Sequence, residues 1–231
     1  MTARLTRTVP GPAPQSSGLE IDDDGRVTGW QTSGHRVGRF ARQLSASERA
    51  ALQRALASAR SADAPAAPGG VTRPGAAIEQ LTADGLPDLV LDPNGTPPAG
   101  WDDLVGLLLS VREDLADSPV AAVELEVAGS PLGVRLRQVG PQPLAVRMAT
   151  LTVQATLFDR DSALLNSVTH TVDGSGATGQ VGPGWELRLA DDLGLAAAPP
   201  GGFLTVTVGP SELDVRGDGV LRRAEFGWIT E

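Results

Sequence analysis

A run near the end of this chain, Asp214-Val-Arg-Gly-Asp218-Gly219-Val-Leu-Arg-Arg-Ala-Glu225, comes close to a calcium loop. A loop of the EF-hand kind places side-chain oxygens at positions 1, 3 and 5, Gly at 6 and a bidentate Glu at 12. Asp214, Asp218, Gly219 and Glu225 fall on 1, 5, 6 and 12, so Asp214, Asp218 and Glu225 are the candidate calcium ligands. Position 3 is Arg216, a cation where a ligand oxygen belongs. An EF-hand loop lies between two helices, whereas Phe203–Val208 just before this one reads as a strand. The competing reading is a Gly-containing hairpin turn whose strands hold Phe226 and Trp228 in the core, with Arg216 paired to Asp214 or Asp218.

Other chemistry-bearing residues form weaker constellations. His170 sits in Thr169-His170-Thr171-Val172-Asp173-Gly174-Ser175, which supplies the residue types of a nucleophilic triad. Adjacent strand residues point to opposite faces, and no G-x-S-x-G elbow is present. A turn at Asp173-Gly174 beside a surface His accounts for the segment, and His35 has still less context. Asp22-Asp23-Asp24-Gly25 reads as a hairpin turn, because no distal Glu sits at calcium-loop spacing. The Gly-rich segments at 174–176 and 182–184 lie between strands, so no helix N-terminus follows to cradle a phosphate. The chain is therefore expected not to be an enzyme.

The remaining surface signal is charge. Arg36, Arg39, Arg42, Arg49, Arg54 and Arg60 crowd into residues 34–60 with Glu48 the single acid, a local surplus inside a chain of net charge −9. The plain reading is a solvated helix face and loop. The functional reading makes Arg36, Arg39, Arg42 and Arg49 a docking patch for an acidic partner, since the guanidinium fork binds carboxylates in two places.

Composition narrows the classes. An acidic balance of 28 Asp and Glu against 19 cations argues against nucleic-acid binding, which needs cations against phosphate. All the cations are Arg, as a GC-rich bacterial genome would encode. Without Cys there is no disulfide framework and no thiolate metal site. No apolar run reaches membrane-spanning length and the N-terminus does not read as a signal peptide, so no membrane contact and a cytoplasmic location are expected.

The elements that must position these residues read in two regimes. Residues 1–18, rich in Pro, Ser and Gly, are expected as a disordered arm. Residues 19–118 are expected as a small α+β domain of strand-helix-strand-helix order. Leu19–Ile21 and Arg26–Trp30 form its first hairpin. Ser45-Ala-Ser-Glu48 is a capping box opening a helix to about Arg60. Short strands follow near Ala77–Leu81 and Leu89–Leu91, with a turn at Asp92-Pro-Asn-Gly95 between the second of them and the next helix. Leu104, Leu107, Leu108, Val111 and Leu115 give that helix, from Trp101 to Leu115, its buried stripe. Beyond Ser118-Pro119 the apolar period drops to two, as in Val123-Glu-Leu-Glu-Val127 and Leu151-Thr-Val-Gln-Ala155. Residues 121–231 are expected as an all-β antiparallel sandwich of immunoglobulin-like type.

The order of elements over Gly18–Trp30, Leu44–Arg60 and Leu86–Leu115 is similar to that of emfourin-like proteins, small bacterial inhibitors of thermolysin-type metalloproteases. The second half, with Gly140-Pro-Gln-Pro-Leu-Ala-Val146, Leu151–Asp159, Val181-Gly-Pro-Gly-Trp185 and Pro200-Gly-Gly-Phe203, resembles the sandwich of bacterial intracellular protease inhibitors. The resemblance lies in element order and carries over no inhibitory residue. It implies a non-catalytic protein-binding module, with a protease inhibitor as its sharpest form and another protein, a protease or an acidic surface, as partner. The alternative is a calcium-binding module built on Asp214–Glu225, calcium then being its one cofactor.

Overall fold

The computed structural model describes residues 2–11, 14–62, 76–91, 96–195 and 198–230. In chain order they form β1 (Ala3–Val9), β2 (Gln15–Ile21), β3 (Arg26–Gln31), β4 (Ser33–Gly34) and β5 (Arg36–Gln43), then helix α1 (Ala46–Ser61). β6 (Ile78–Ala83) and β7 (Leu89–Leu91) lead into helix α2 (Asp102–Leu115). Strands follow to the end: β8 (Pro119–Ala128), β9 (Gly133–Val139), β10 (Leu144–Arg147), β11 (Thr150–Phe158) and β12 (Leu164–Asp173). The last are β13 (Thr178–Val181), β14 (Glu186–Ala190), β15 (Phe203–Leu213) and β16 (Arg222–Ile229). The chain is strand-dominated, with antiparallel sheets, and among the described residues β16 also pairs briefly with β4 in parallel.

The chain divides into two compact units, Met1–Trp30 with Phe40–Pro119, and Gln31–Arg39 with Val120–Glu231. Gln31–Arg39, expected within the first domain, thus belongs with the second.

In the first unit, β3, β2, β1, β6 and β7 lie side by side. Leu5 of β1 stands opposite Leu19 of β2 and Leu81 of β6, and all three are fully buried. α1 starts where the sequence places it. Ser45 Oγ accepts from Glu48 N at 3.2 Å while Glu48 Oε2 accepts from Ser45 N at 2.7 Å. Such a cap contributes about 1 kcal/mol. Leu52, Ala55, Leu56 and Ala59 form the buried stripe of α1. The stripe of α2 is Leu104, Val105, Leu108, Val111 and Leu115, with Val105 in the place expected of Leu107. Leu115 packs directly on β3, where a Cβ on Gly29 would fall 2.4 Å from its Cδ2.

In the second unit, β14, β9 and β8 are neighbours in one sheet, and β12, β11, β15, β10 and β13 form another in that order, with β16 also on β15. The two-residue period is visible as burial. Leu151, Val153, Ala155 and Leu157 of β11 are buried, as are Leu204, Val206 and Val208 of β15 and Phe226 of β16. On the other sheet Leu125 pairs with Leu136 and Val127 with Val134, all buried. Their polar neighbours alternate in sign across the strands: Glu124 opposite Arg137, and Glu126 opposite Arg135.

Two sequence expectations change. Residues 3–9, read as part of a disordered arm, form β1 between β2 and β6. Their Leu5 supplies the burial that the Pro and Gly content seemed to deny them, because those residues gather in the connection to β2. Arg36–Gln43, read only as a charged segment, is strand β5, whose Val37 and Phe40 are buried between the arginines. The expected turn at Asp92–Gly95 and most of the Pro/Ala-rich stretch after α1 lie outside the described residues.

Candidate functional site

The calcium-like segment is the connection between β15 and β16. Asp214 begins it, half-buried, and its carboxylate gathers backbone amides: Oδ1 accepts from Gly217 N at 2.7 Å and Asp218 N at 3.2 Å, and Oδ2 from Gly219 N at 3.0 Å. Asp218 Oδ1 accepts from Val220 N at 3.1 Å. Arg222, on the first residue of β16, grips the same carboxylate with both prongs, at 2.8 Å to Oδ1 and 2.6 Å to Oδ2. This guanidinium holds the Asp218 carboxyl far below the usual carboxylate range. Asp218 is thus ion-paired with Arg222, six positions after the Arg216 that interrupts the motif.

Glu225 is drawn elsewhere. It lies within β16, its amide donates to Thr32 O at 3.0 Å, and a Cβ on Gly209 of β15 would fall 3.4 Å from its Cγ. The structure thus gives Asp214 and Asp218 to turn amides and an arginine, and Glu225 to the sheet. Among the described residues no group of three or more His, Cys, Asp or Glu is arranged to hold a metal ion. Phe226 is fully buried, as the hairpin reading expects, while Trp228 is only half-buried; Val215 of the loop is also fully buried.

The His170 segment is likewise taken up by the fold. His170 Nε2 lies 3.4 Å from Leu193 O, and Asp173 Oδ1 accepts from Ser175 N at 2.9 Å, closing the turn after β12. His35 gives its carbonyl to Leu125 N at 2.7 Å. Asp22 Oδ1 accepts from Asp24 N and Arg26 N at 3.0 and 2.9 Å, the work of a turn residue.

The arginine window is divided between the units. In the second, Arg36 Nε donates to Glu124 Oε1 at 2.8 Å, while Arg137 reaches Glu124 Oε2 at 2.7 Å. Burial works to raise the Glu124 carboxyl, and the bonds from Arg36 and Arg137 outweigh it, leaving it below its ordinary value. Arg39 Nη2 reaches Pro143 O at 3.5 Å, and its guanidinium lies against Gly217 of the β15–β16 connection. In the first unit, Arg42 Nη2 donates to Glu48 Oε1 at 2.7 Å, with Asp114 3.6 Å away. Arg49 is exposed on α1, its Cδ close to Gly25. Arg36 and Arg42 thus face acids of their own unit.

Two open grooves are lined by charges, several of which pair with each other. One, of about 450 Å³, has Arg4, Glu20, Arg26 and Asp84 in its wall. Arg4 lies 3.2 Å from Glu20, and both Asp84 oxygens accept from Thr2. The other, of about 300 Å³, has Glu126, Arg135, Glu186 and Arg188 in its wall, where Arg135 bridges Glu126 and Glu186 at 2.6 and 3.2 Å.

One surface has a different character, and reading the sequence for titratable chemistry passes over it. Between Thr152 and Thr156 of β11 the outward residues and those paired with them on β12 and β15 are uncharged: Thr152 stands opposite Thr171, Gln154 opposite Thr169 and Thr207, and Thr156 opposite Ser167 and Thr205. Thr156 Oγ1 and Ser167 Oγ lie 3.3 Å apart. At one end of this face Phe158 and Phe203 stack with ring centroids 4.8 Å apart and planes 18° apart. Leu164, paired with Phe158, is 63% exposed, and Ile229, paired with Thr205, is 62% exposed. The sequence signal was the T-x-T and F-L-T alternation itself, whose outward half carries Thr and Phe where β8 and β9 carry Glu and Arg.

No protein-family model, no curated protein and no solved structure matches this chain.

Proposed function

We propose that this chain is a non-catalytic protein-binding module that meets its partner through the outward face of β11, β12, β15 and β16. The observation that carries this reading is the cluster of Phe158, Phe203, Leu164 and Ile229 at the end of an uncharged run of Thr, Ser and Gln on β11, β12 and β15, in a chain of net charge −9. Protein interfaces deplete charge and concentrate aromatic and aliphatic side chains at their centre, within a polar rim. An exposed apolar patch rimmed by polar groups marks such a surface. The second unit, read as a β-sandwich, is the rigid scaffold that presents it.

A protease stands among the candidate partners on the strength of the resemblance in element order, and a cytoplasmic setting goes with that reading. No helix among the described residues is long and apolar enough to cross a membrane. A calcium-dependent module would need Asp214 and Asp218 to leave their amides and Arg222, which makes metal-independent binding the better reading.

The test is affinity capture from an extract of the source cells, with EDTA and with calcium, using the wild-type chain and a Leu164→Asp/Ile229→Asp variant. A partner retained in EDTA and lost with the variant supports the reading. Capture that needs calcium, or that the variant leaves unchanged, contradicts it.

A further inference from the structure

The strand edges of the two units are unequal. β7 has three residues and β13 four. β14 has five, carries Glu186 and Arg188, and shifts register between Arg188 and Ala190. Short length, charge and irregularity are the ways sheets protect an open edge. β12 carries these only at its two ends: of its ten residues, Leu-Leu-Asn-Ser-Val-Thr-His-Thr-Val-Asp, the one charge is Asp173 at the last position, and the register shift lies at the other end. Among the described residues its only ladder partner is β11.

The parity of the β11–β12 ladder says which backbone groups face out. Gly174 N donates to Ala149 O just beyond the Thr150–Asp173 pair. Hydrogen-bonded and non-bonded pairs alternate in an antiparallel ladder, so Val168, His170 and Val172 bond to β11. Ser167, Thr169, Thr171 and Asp173 turn their amides and carbonyls away from it. Ser167 N is consistent with this parity, being held by its neighbour's Asn166 Oδ1 at 2.8 Å instead of by β11.

We propose that β12 is a self-association edge, along which two copies of this chain pair antiparallel about a two-fold axis at Thr169. This goes beyond the partner-binding reading and uses the strand's edge, not its face. The edge is self-complementary in this register. Thr169 meets Thr169 of the second copy and the two exchange both backbone bonds; Thr171 meets Ser167, a pairing of hydroxyls favoured across strands. Asp173, the one carboxylate of the strand, falls opposite Leu165, so no like charges oppose each other. Val168 falls opposite His170. The Asn166 side chain gives way as Ser167 N takes a new acceptor. An isologous pairing of this kind closes on itself, as a two-fold interface does.

The test is sedimentation velocity of the full chain across a wide concentration series, with three variants. Wild type is expected to shift from monomer to dimer with concentration. Thr169→Pro removes an outward amide and no bond to β11, so it is expected to stay monomeric with an unchanged far-UV spectrum. Thr169→Lys sets like charges opposite each other and is expected to weaken the dimer at least tenfold, a measure that stands if the proline variant misfolds. Mixing Thr169→Lys with Thr169→Glu is expected to restore a mixed dimer, because residue 169 faces its own copy. A wild type that remains monomeric throughout, variants that dimerise as wild type does, or a mixture that fails to pair overturns the proposal.

Discussion

Arg222 closes a two-pronged ion pair on Asp218, at 2.8 and 2.6 Å, within the connection whose sequence most resembles a cation site. The guanidinium occupies one of the carboxylates a calcium ion would need, and Asp214 spends its oxygens on three turn amides. Millimolar calcium is therefore expected to leave the fluorescence of Trp228 unchanged. Asp214→Ala should lower stability by about 1–2 kcal/mol, the scale of hydrogen bonds to a charged acceptor. Denaturant titration with and without calcium checks both statements.

The acid limb of stability should report on Glu48. Arg42 lowers its carboxyl to about 2, with the Ser45 bonds adding to the effect. An unfolded Glu titrates near 4.3. A folded value below the unfolded one means that the contribution is present above the unfolded value and is lost as pH falls towards about 2. Glu48→Gln should destabilise the chain at neutral pH and flatten the loss below about pH 4.5. Chemical denaturation at a series of pH values measures it.

Much of this fold was legible in the sequence, and the reason is local chemistry. The capping box at Ser45–Glu48, the apolar stripe of α2 and the alternation in β8, β9, β11 and β15 each depend on neighbours a few positions away. What was not legible depends on distant partners. β1 looked like an arm because its Leu5 is paid for by Leu19 and Leu81, neither of them adjacent in sequence. β5 looked like a basic patch because Val37 and Phe40 sit between arginines, and nothing in the segment says that Glu124 waits for Arg36. The motif Asp214–Glu225 was legible only in part for a related reason: the spacing of its carboxylates was visible, but the direction in which β16 aims Glu225 was not.

Two glycines should respond oppositely to Ala. Gly38 has φ of 148°, and an added Cβ would fall 2.3 Å from Ala121 O and 2.5 Å from Ala122 Cα. Backbone cannot yield as a side chain can, so Gly38→Ala should cost about 3 kcal/mol or more, at the upper end of overpacking. Gly106 lies in α2 with nothing near its added Cβ. Gly106→Ala should stabilise by about 0.5–1 kcal/mol through helix propensity. Thermal melts of the two variants make the comparison.

Glu124 is 8% exposed and is shared by Arg36 and Arg137. Glu124→Ala removes the buried carboxylate shared by the Arg36 and Arg137 guanidinium groups, and should cost about 3–5 kcal/mol. Glu186→Ala, at the exposed end of the same charge pattern, should cost less than about 1 kcal/mol. Denaturant unfolding of both variants separates a buried pair from a surface one.

The most direct measurement of the central claim, metal-independent protein binding through the uncharged face, is quantitative capture in EDTA by wild type and by the Leu164→Asp/Ile229→Asp variant. The variant's melting temperature should match that of wild type, since both side chains are more than half exposed. The expected result is a protein enriched on wild type and absent from the variant. Enrichment of nothing on wild type, or equal capture by both chains, contradicts the claim.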